Sequence, residues 1–306
     1  MEFLWFLEGI RVPFFDVVFS LITRLGEETV AIILLCAIFW CIDKRTAYAI
    51  GITYFITGLL VQGMKIGFRI DRPWVIDPLF SPVGSAIENA TGYSFPSGHT
   101  QSAAAVFGTL GFALKKAWQK TGCFTLAVLV GFSRMYLGVH TLLDVGVSFV
   151  VSMAICYAVV YVLDKKQDES KKRVIITSAA LLAVAAGTCV YAFVLYSLGK
   201  IDEGYVSDCL KAAGAGIGFA AGMYVEKMNI RFSITHWKLP PRVLFYIFGI
   251  AGVLAIKEGL KLVIGTGLAV DTFRYILICL WITALFPLII DRYSKRKKVI
   301  SDSDIE

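Results

Sequence analysis

A chain of 306 residues that is 57% hydrophobic and only 17% charged cannot hide its apolar side chains in one water-soluble core, since charged residues supply about a quarter of an ordinary globular domain. The composition excludes a soluble globular protein and indicates a membrane protein. The net charge of +7 is spread over loops between apolar runs, so it is assigned to membrane topology and not to a nucleic-acid partner.

The N-terminal stretch Met1 to Ile10 carries Glu2 and Glu8 and no basic n-region. No cleavable signal peptide is expected, and insertion is expected to use the first spanning helix. Residues 12–25 are apolar but include Asp16 and Arg24 and precede Gly26, which predicts an amphipathic interfacial helix. Crossing a bilayer takes roughly 20 apolar residues of helix. Runs of that kind predict spans at 29–43, 47–63, 97–114, 122–138, 143–163, 174–198, 206–225, 243–264 and 272–290. The expected fold is all-α, a polytopic membrane bundle of about nine transmembrane helices.

Basic residues test that threading, because loops retained in the cytoplasm are enriched in Lys and Arg. Lys44/Arg45, Lys115/Lys116/Lys120, Lys165/Lys166/Lys171/Lys172/Arg173, Lys227/Arg231/Lys238/Arg242 and Arg292 with Lys295 to Lys298 all fall on one side of it. The N-terminus and the long loop from Met64 to Pro96 fall on the other, which makes them extracytoplasmic or luminal and puts the acidic tail at 299–306 in the cytoplasm. The charged stretch at 164–173, "DKKQDESKKR", is a soft boundary between five spans and four.

Several features carry a bland reading beside a sharper one. The seven cysteines fit neither a zinc site nor a disulfide framework and read as small apolar side chains. Gly214, Gly218 and Gly222 read as a close helix-packing face. Residues 74–95, rich in Pro, Gly and Ser, read as a lid or as an ordinary exposed loop. Asn89-Ala90-Thr91 matches a glycosylation acceptor, for which chance is the better account. Lys257, Glu258 and Lys261 read as interfacial snorkelling groups in preference to substrate contacts. His236 is given no role.

Three polar motifs share the extracytoplasmic side. In "KIGFRIDRP", residues 65–73, Lys65 and Arg72 are seven apart and would share a face of a helix continuing the second span. Pro73 biases Arg72 out of helical geometry and ends that helix. Two such cations bind a phosphate between them, or else snorkel independently. In "PSGH", residues 96–99, Pro96, Ser97 and Gly98 open a helix whose free N–H groups attract an anion, with His99 where the helix meets water. An ordinary capped helix start is the plain alternative. In "SRMYLGVHTLLD", residues 133–144, His140 and Asp144 are four apart on one helix face, as a catalytic pair or a structural hydrogen bond. Arg134 in the same stretch can join the other cations.

Taken together the pattern K-x6-R-P, then P-S-G-H, then S-R-x5-H-x3-D resembles the type 2 phosphatidic acid phosphatase (PAP2) superfamily, with every specified position filled from Lys65 to Asp144 and Ser133 and Arg134 opening the third motif. The resemblance implies metal-independent phosphate-ester hydrolysis without a cofactor, through a phosphohistidine. His140 would attack phosphorus, Asp144 would orient it, and His99 would protonate the leaving oxygen and then activate water. Lys65, Arg72, Ser97, Gly98 and Arg134 would hold the phosphoryl oxygens, while Pro73, Pro96 and Ser133 complete the motifs. It divides the chain into an interfacial segment at 1–28, a PAP2-type membrane core at 29–170, a helical extension at 171–298 and the tail at 299–306.

The expected activity is hydrolysis of a lipid phosphate or diphosphate, such as polyprenyl diphosphate, phosphatidate or phosphatidylglycerophosphate, at the outer face of a bacterial plasma membrane, or in the ER lumen of a eukaryote. Its partners are the lipid substrate and membrane lipids. The nine-span layout is similar to that of glucose-6-phosphatase, so a sugar phosphate is an alternative substrate. A lipid phosphotransferase shares the covalent step, and a transporter or flippase keeping the anion site is the rival of another class, although transport by itself does not call for His140.

Overall fold

The structure, a computed structural model, describes residues 1–87, 90–165, 170–234 and 237–303. Asn89, Lys166, His236 and tail residues 304–306 lie outside the described residues. Every regular element among the described residues is helical. Helices α1 (Glu2–Gly9) and α2 (Pro13–Thr23) precede α3 (Glu28–Ala37), which a π-helical turn carries on to Ile42. Asp43 caps α4 (Lys44–Phe68), accepting from the Arg45 and Thr46 amides, and so satisfies orphan donors of the first turn. Short helices α5 (Pro73–Ile76) and α6 (Gly84–Ile87) lie in the connection to α7, residues 98–113. Then come α8 (Ala117–Tyr136), α9 (Leu142–Lys165), α10 (Lys171–Ser197), α11 (Glu203–Val225), α12 (Leu239–Ile264) and α13, residues 268–303.

Among the described residues, five helical segments are long and apolar enough to cross a bilayer: Lys44–Ile76, Leu142–Leu163, Lys171–Ser197, Leu239–Ile264 and Leu268–Arg296. A sixth arises if Pro13–Gly26 and Glu28–Ile42, bent by 54° at their junction, count as one broken span. The structure therefore does not reproduce the nine spans expected. Within the span expected at 97–114, residues 98–113 form a helix with buried Thr100, Gln101 and Ser102 at its start. α8, which covers most of the span expected at 122–138, carries Lys120 and Arg134, and the helix over 206–225 carries Asp208 and Lys211 among several glycines. The apolar signal at 206–225 is weak because α11 is packed inside the bundle, with Ala213, Gly214, Gly218 and Phe219 buried, where small residues serve better than lipid-facing Leu or Ile. Residues 13–26 are helical as expected, but they pack against α8 and meet the next helix at that 54° bend instead of standing alone.

The glycines of α11 sit against α13. A Cβ added at Gly218 would lie 2.3 Å from the Ile276 carbonyl oxygen, and one at Gly222 would lie 1.8 Å from Thr283 Oγ1. Dispersion contacts at this approach hold helices together where no water is expelled. One buried cluster joins Trp40, Tyr48 and Phe55 to Phe219, Met223, Ile278 and Phe286, so the extension is packed onto α3 and α4. Lys44 and Tyr48 both bond the buried Glu226 carboxylate, at 2.8 and 2.7 Å, and tie the far ends of α4 and α11 together.

Up-and-down threading gathers the end of α4, the start of α7, the end of α8 and the start of α9 at one pole. Lys44 and Arg45, Lys115 and Lys116, and the end of α9 at Lys165 are at the other. Four cysteines are buried and three half-buried, all as free thiols.

Candidate active site

Lys65 stands in the last turn of α4, where its Nζ donates to the Tyr93 carbonyl at 2.8 Å. The helix does not continue to Arg72: it ends at Phe68, and Arg69 turns left-handed at φ 53°. Arg72 is extended (φ −69°, ψ 152°) ahead of Pro73, as the proline demands. The two cations thus meet through a turn and an extended segment, not along one helix face. The Arg72 guanidinium donates from Nε to Gly92 O at 2.9 Å, from Nη2 to Thr91 O at 2.6 Å and from Nη1 to Val139 O at 3.0 Å. Three carbonyls hold the fork rigid with only 6% of the residue exposed.

Arg72 Nη1 also lies 2.9 Å from His140 Nε2. A guanidinium has no lone pair to offer, so Nε2 is the acceptor and a neutral His140 carries its proton on Nδ1. Nδ1 is 3.6 Å from Asp144 Oδ2 and 3.5 Å from Ser94 Oγ, while the Ser94 hydroxyl donates to the same Oδ2 at 2.6 Å. The carboxylate therefore reaches the imidazole chiefly through Ser94. His140 is not on the helix with Asp144 either, since α9 begins at Leu142. Thr141 and Asp144 form the reciprocal pair that starts it: the Thr141 amide donates to Oδ2 at 2.7 Å and the Asp144 amide to Thr141 Oγ1 at 3.2 Å. Burial, and then the charges of Arg72, Arg134, Lys65 and His99, hold the His140 imidazole well below its ordinary pKa.

Ser97 caps α7 as expected, accepting from the Thr100 amide at 3.4 Å and the Thr100 hydroxyl at 2.9 Å. Its amide donates to the Asp144 carbonyl at 3.1 Å and its carbonyl accepts from Ser148 at 2.7 Å, which fastens the second motif to the third. A Cβ on Gly98 would meet nothing within 4 Å, so the first turn of α7 opens directly into space. Arg134 is 1% exposed, with Nη1 donating to Thr23 Oγ1 at 2.8 Å and Nε left without a partner.

Lys65, Arg72, Gly98, His99, Arg134 and His140 all line one cavity of about 510 Å³. Ser97, Asp144, Ser133, Pro73 and Pro96 do not line it. They stand behind it, Ser133 bonding the Val130 carbonyl of its own helix at 2.7 Å. Lys257, Glu258 and Lys261 do not line it either, although Lys257 lies within electrostatic reach of the lining residue Glu28. Residues 91–94 are more than an exposed loop, because their carbonyls seat both cations and Ser94 bonds Asp144. Sequence reading missed Ser94, Thr23 and Thr141; of these only Thr141 had a signal, the T-x-x-D spacing of a capping box. It also missed the contribution of α11, whose Tyr205 ring stacks on Tyr93 at 4.2 Å and 7°.

A pocket that gathers three cations, a helix N-terminus and two imidazoles can bind a phosphoryl group and present a nucleophile and a proton donor to it. Comparison with known proteins agrees. A family model described as "PAP2 superfamily" matches residues 45–168, and one described as "PAP2 superfamily phosphatase, transmembrane extension" matches residues 210–298. Over 178 residues the chain is 29% identical to phosphatidylglycerophosphatase B of Bacillus subtilis (strain 168), covering 54% of this chain and 80% of that protein. A solved structure described as the first transmembrane PAP2 type phosphatidylglycerolphosphate phosphatase, from Bacillus subtilis, matches with 26% identity and a TM-score of 0.47 over 55% of this chain and 85% of that one.

Proposed function

Because the chain belongs to the PAP2 superfamily of phosphatases, we propose that it hydrolyses a lipid phosphate or diphosphate on the extracytoplasmic side of a bacterial plasma membrane, through a phosphohistidine on His140. The observation that carries this reading is the convergence of Lys65, Arg72, Gly98, His99, Arg134 and His140 on one cavity. A relative that is a phosphatidylglycerophosphatase makes phosphatidylglycerophosphate a leading substrate beside phosphatidate and polyprenyl diphosphate.

In the first step His140 Nε2 forms a bond to phosphorus while the ester P–O bond breaks, and His99 passes a proton to the departing oxygen. Nε2 has the lone pair for this, and an arriving phosphate takes over the Arg72 Nη1 donor that now faces it. The ring becomes positively charged, and its Nδ1 proton points to Ser94 and Asp144, which offset that charge. Lys65, Arg72, Arg134 and the Gly98 amide stabilise the phosphoryl oxygens, which are most highly charged at the transition state. In the second step water attacks phosphorus, His99 takes its proton, the P–N bond breaks and inorganic phosphate leaves.

Nine crossings remain our reading of the membrane topology, with α7 and α11 buried in the bundle and α8 buried over its second half. We divide the chain into a core at 29–170 and an extension at 171–298; the family models match within these ranges, at 45–168 and 210–298. The pole that holds the cavity is opposite Lys44, Arg45, Lys115 and Lys116, and basic loops stay in the cytoplasm. Phosphate release from a panel of lipid phosphates and a sugar phosphate, in EDTA, tests the mechanism. His140→Ala should abolish release, and His99→Ala should lower it by about a hundred- to ten-thousand-fold. A requirement for magnesium, or activity that survives His140→Ala, contradicts the proposal.

A further inference from the structure

The cavity is larger than one phosphoryl group requires, since volumes of roughly 300–1,000 Å³ hold whole drug-sized molecules. Part of its wall comes from outside the matched core at 45–168: Glu27 and Glu28 at the bend before α3, Asp208 and Lys211 on α11, and Tyr275 on α13. These residues differ in chemistry from the cationic end. Glu28 Oε2 accepts from the Tyr275 hydroxyl at 3.3 Å, whereas Glu28 Oε1 is shut off from solvent and has no hydrogen-bond partner. Asp208 pairs with Lys211 at 3.7 Å and lies within electrostatic reach of both Lys65 and Glu28, which places the two ends of the cavity side by side.

A buried carboxylate oxygen without a donor is costly, and the cost is relieved when a ligand supplies one. Three carboxylates, set against the Lys211 ammonium in the wall and Lys257 within electrostatic reach of Glu28, make this wall rich in acceptors. We propose that it is a head-group subsite for a hydrogen-bond donor, a hydroxyl or an ammonium, on the moiety that bears the scissile phosphate, with Glu28 as the principal acceptor. This rests on the phosphatase reading above and deepens it: a phosphate on a donor-bearing head group is preferred to a phosphate esterified directly to diacylglycerol.

Detergent-solubilised full-length enzyme would be assayed on phosphatidylglycerophosphate (a hydroxyl, beside a phosphodiester anion), sphinganine 1-phosphate (ammonium and hydroxyl), phosphatidate (no donor) and diacylglycerol diphosphate (a second anion and no donor). Wild type should favour the first two by kcat/KM, and the relative rates of those two identify which donor is recognised. Glu28→Gln should reduce the preference over phosphatidate by about ten- to a hundredfold through KM, the effect of losing a hydrogen bond to a charged group. Asp208→Asn, at the partly exposed rim, should lower it in the same direction by less. Equal loss on all four substrates in both variants, or a wild type without the preference, overturns the subsite while leaving the phosphatase intact. Release from none of the four overturns the phosphatase reading and the subsite with it.

Discussion

His140 carries a consequence of burial that can be measured directly. An ordinary imidazole gains its proton near pH 6.5, but burial and the surrounding cations hold this one well below that value. As pH falls through 6.5 in the free enzyme, His140 therefore stays neutral, with Nε2 available for attack. Nitrogen-15 histidine NMR of the protein, which has three histidines, should find one ring in the Nδ1–H tautomer that does not titrate near pH 6.5, and that signal should vanish in His140→Ala. The acid limb of kcat/KM, divided by the substrate's own ionisation, should lie below 6.5 as well. A His140 signal titrating at or above 6.5 would rule out this electrostatic account. The motif side chains were readable in the sequence because phosphate chemistry demands particular groups. The carbonyls of Thr91, Gly92 and Tyr93 were not, because every residue type supplies a carbonyl.

Among the helices, α11 has the most unexpected part. Its Tyr205 ring lies flat on Tyr93, and the Tyr93 carbonyl receives Lys65 while the adjacent Gly92 carbonyl receives Arg72. The extension thereby steadies the loop that aims two cations, a positioning role exerted through the backbone. An aromatic pair of this kind contributes roughly 0.5–1.5 kcal/mol, and small displacements of a binding group have large kinetic effects. Tyr205→Ala should lower kcat/KM roughly tenfold and weaken competitive inhibition by inorganic phosphate in proportion, whereas Tyr205→Phe should keep both near wild type. If Phe fails as badly as Ala, the hydroxyl and not the stack matters. The glycine face of α11 was legible as a packing surface, and the structure gives its partner as α13. That this same helix also supports the phosphate end of the cavity had no local signature, because Tyr93 and Tyr205 are far apart in sequence.

Considered whole, the molecule has a chemically bare basic pole and an opposite pole where the cavity opens. Cysteine introduced at Leu79, which is 83% exposed near the cavity pole, and at Lys116 of the basic pole should label on opposite sides of sealed, right-side-out vesicles with a membrane-impermeant maleimide. Reagent added outside should reach Leu79→Cys alone. Labelling of both from one side would discard the topology proposed here and the extracytoplasmic site with it. Counting spans from hydropathy is harder, because it measures average preference for lipid whereas helices inside a bundle meet one another. Residues 97–114, 122–138 and 206–225 carry polar or small side chains that suit neighbours better than lipid.

Composition and periodicity were enough to establish that this is a helical membrane protein, and residue identity at Lys65, Arg72, His99, Arg134 and His140 was enough to mark the chemistry. Both are local properties, set by the solvent a segment must meet and by the charge a phosphate presents. The route from Asp144 to His140 through Ser94, the seating of Arg72 on three carbonyls, and the acceptor wall from Glu28, Asp208 and Tyr275 came only with the packed bundle. They depend on distances between segments remote in sequence, which packing imposes and no single stretch encodes.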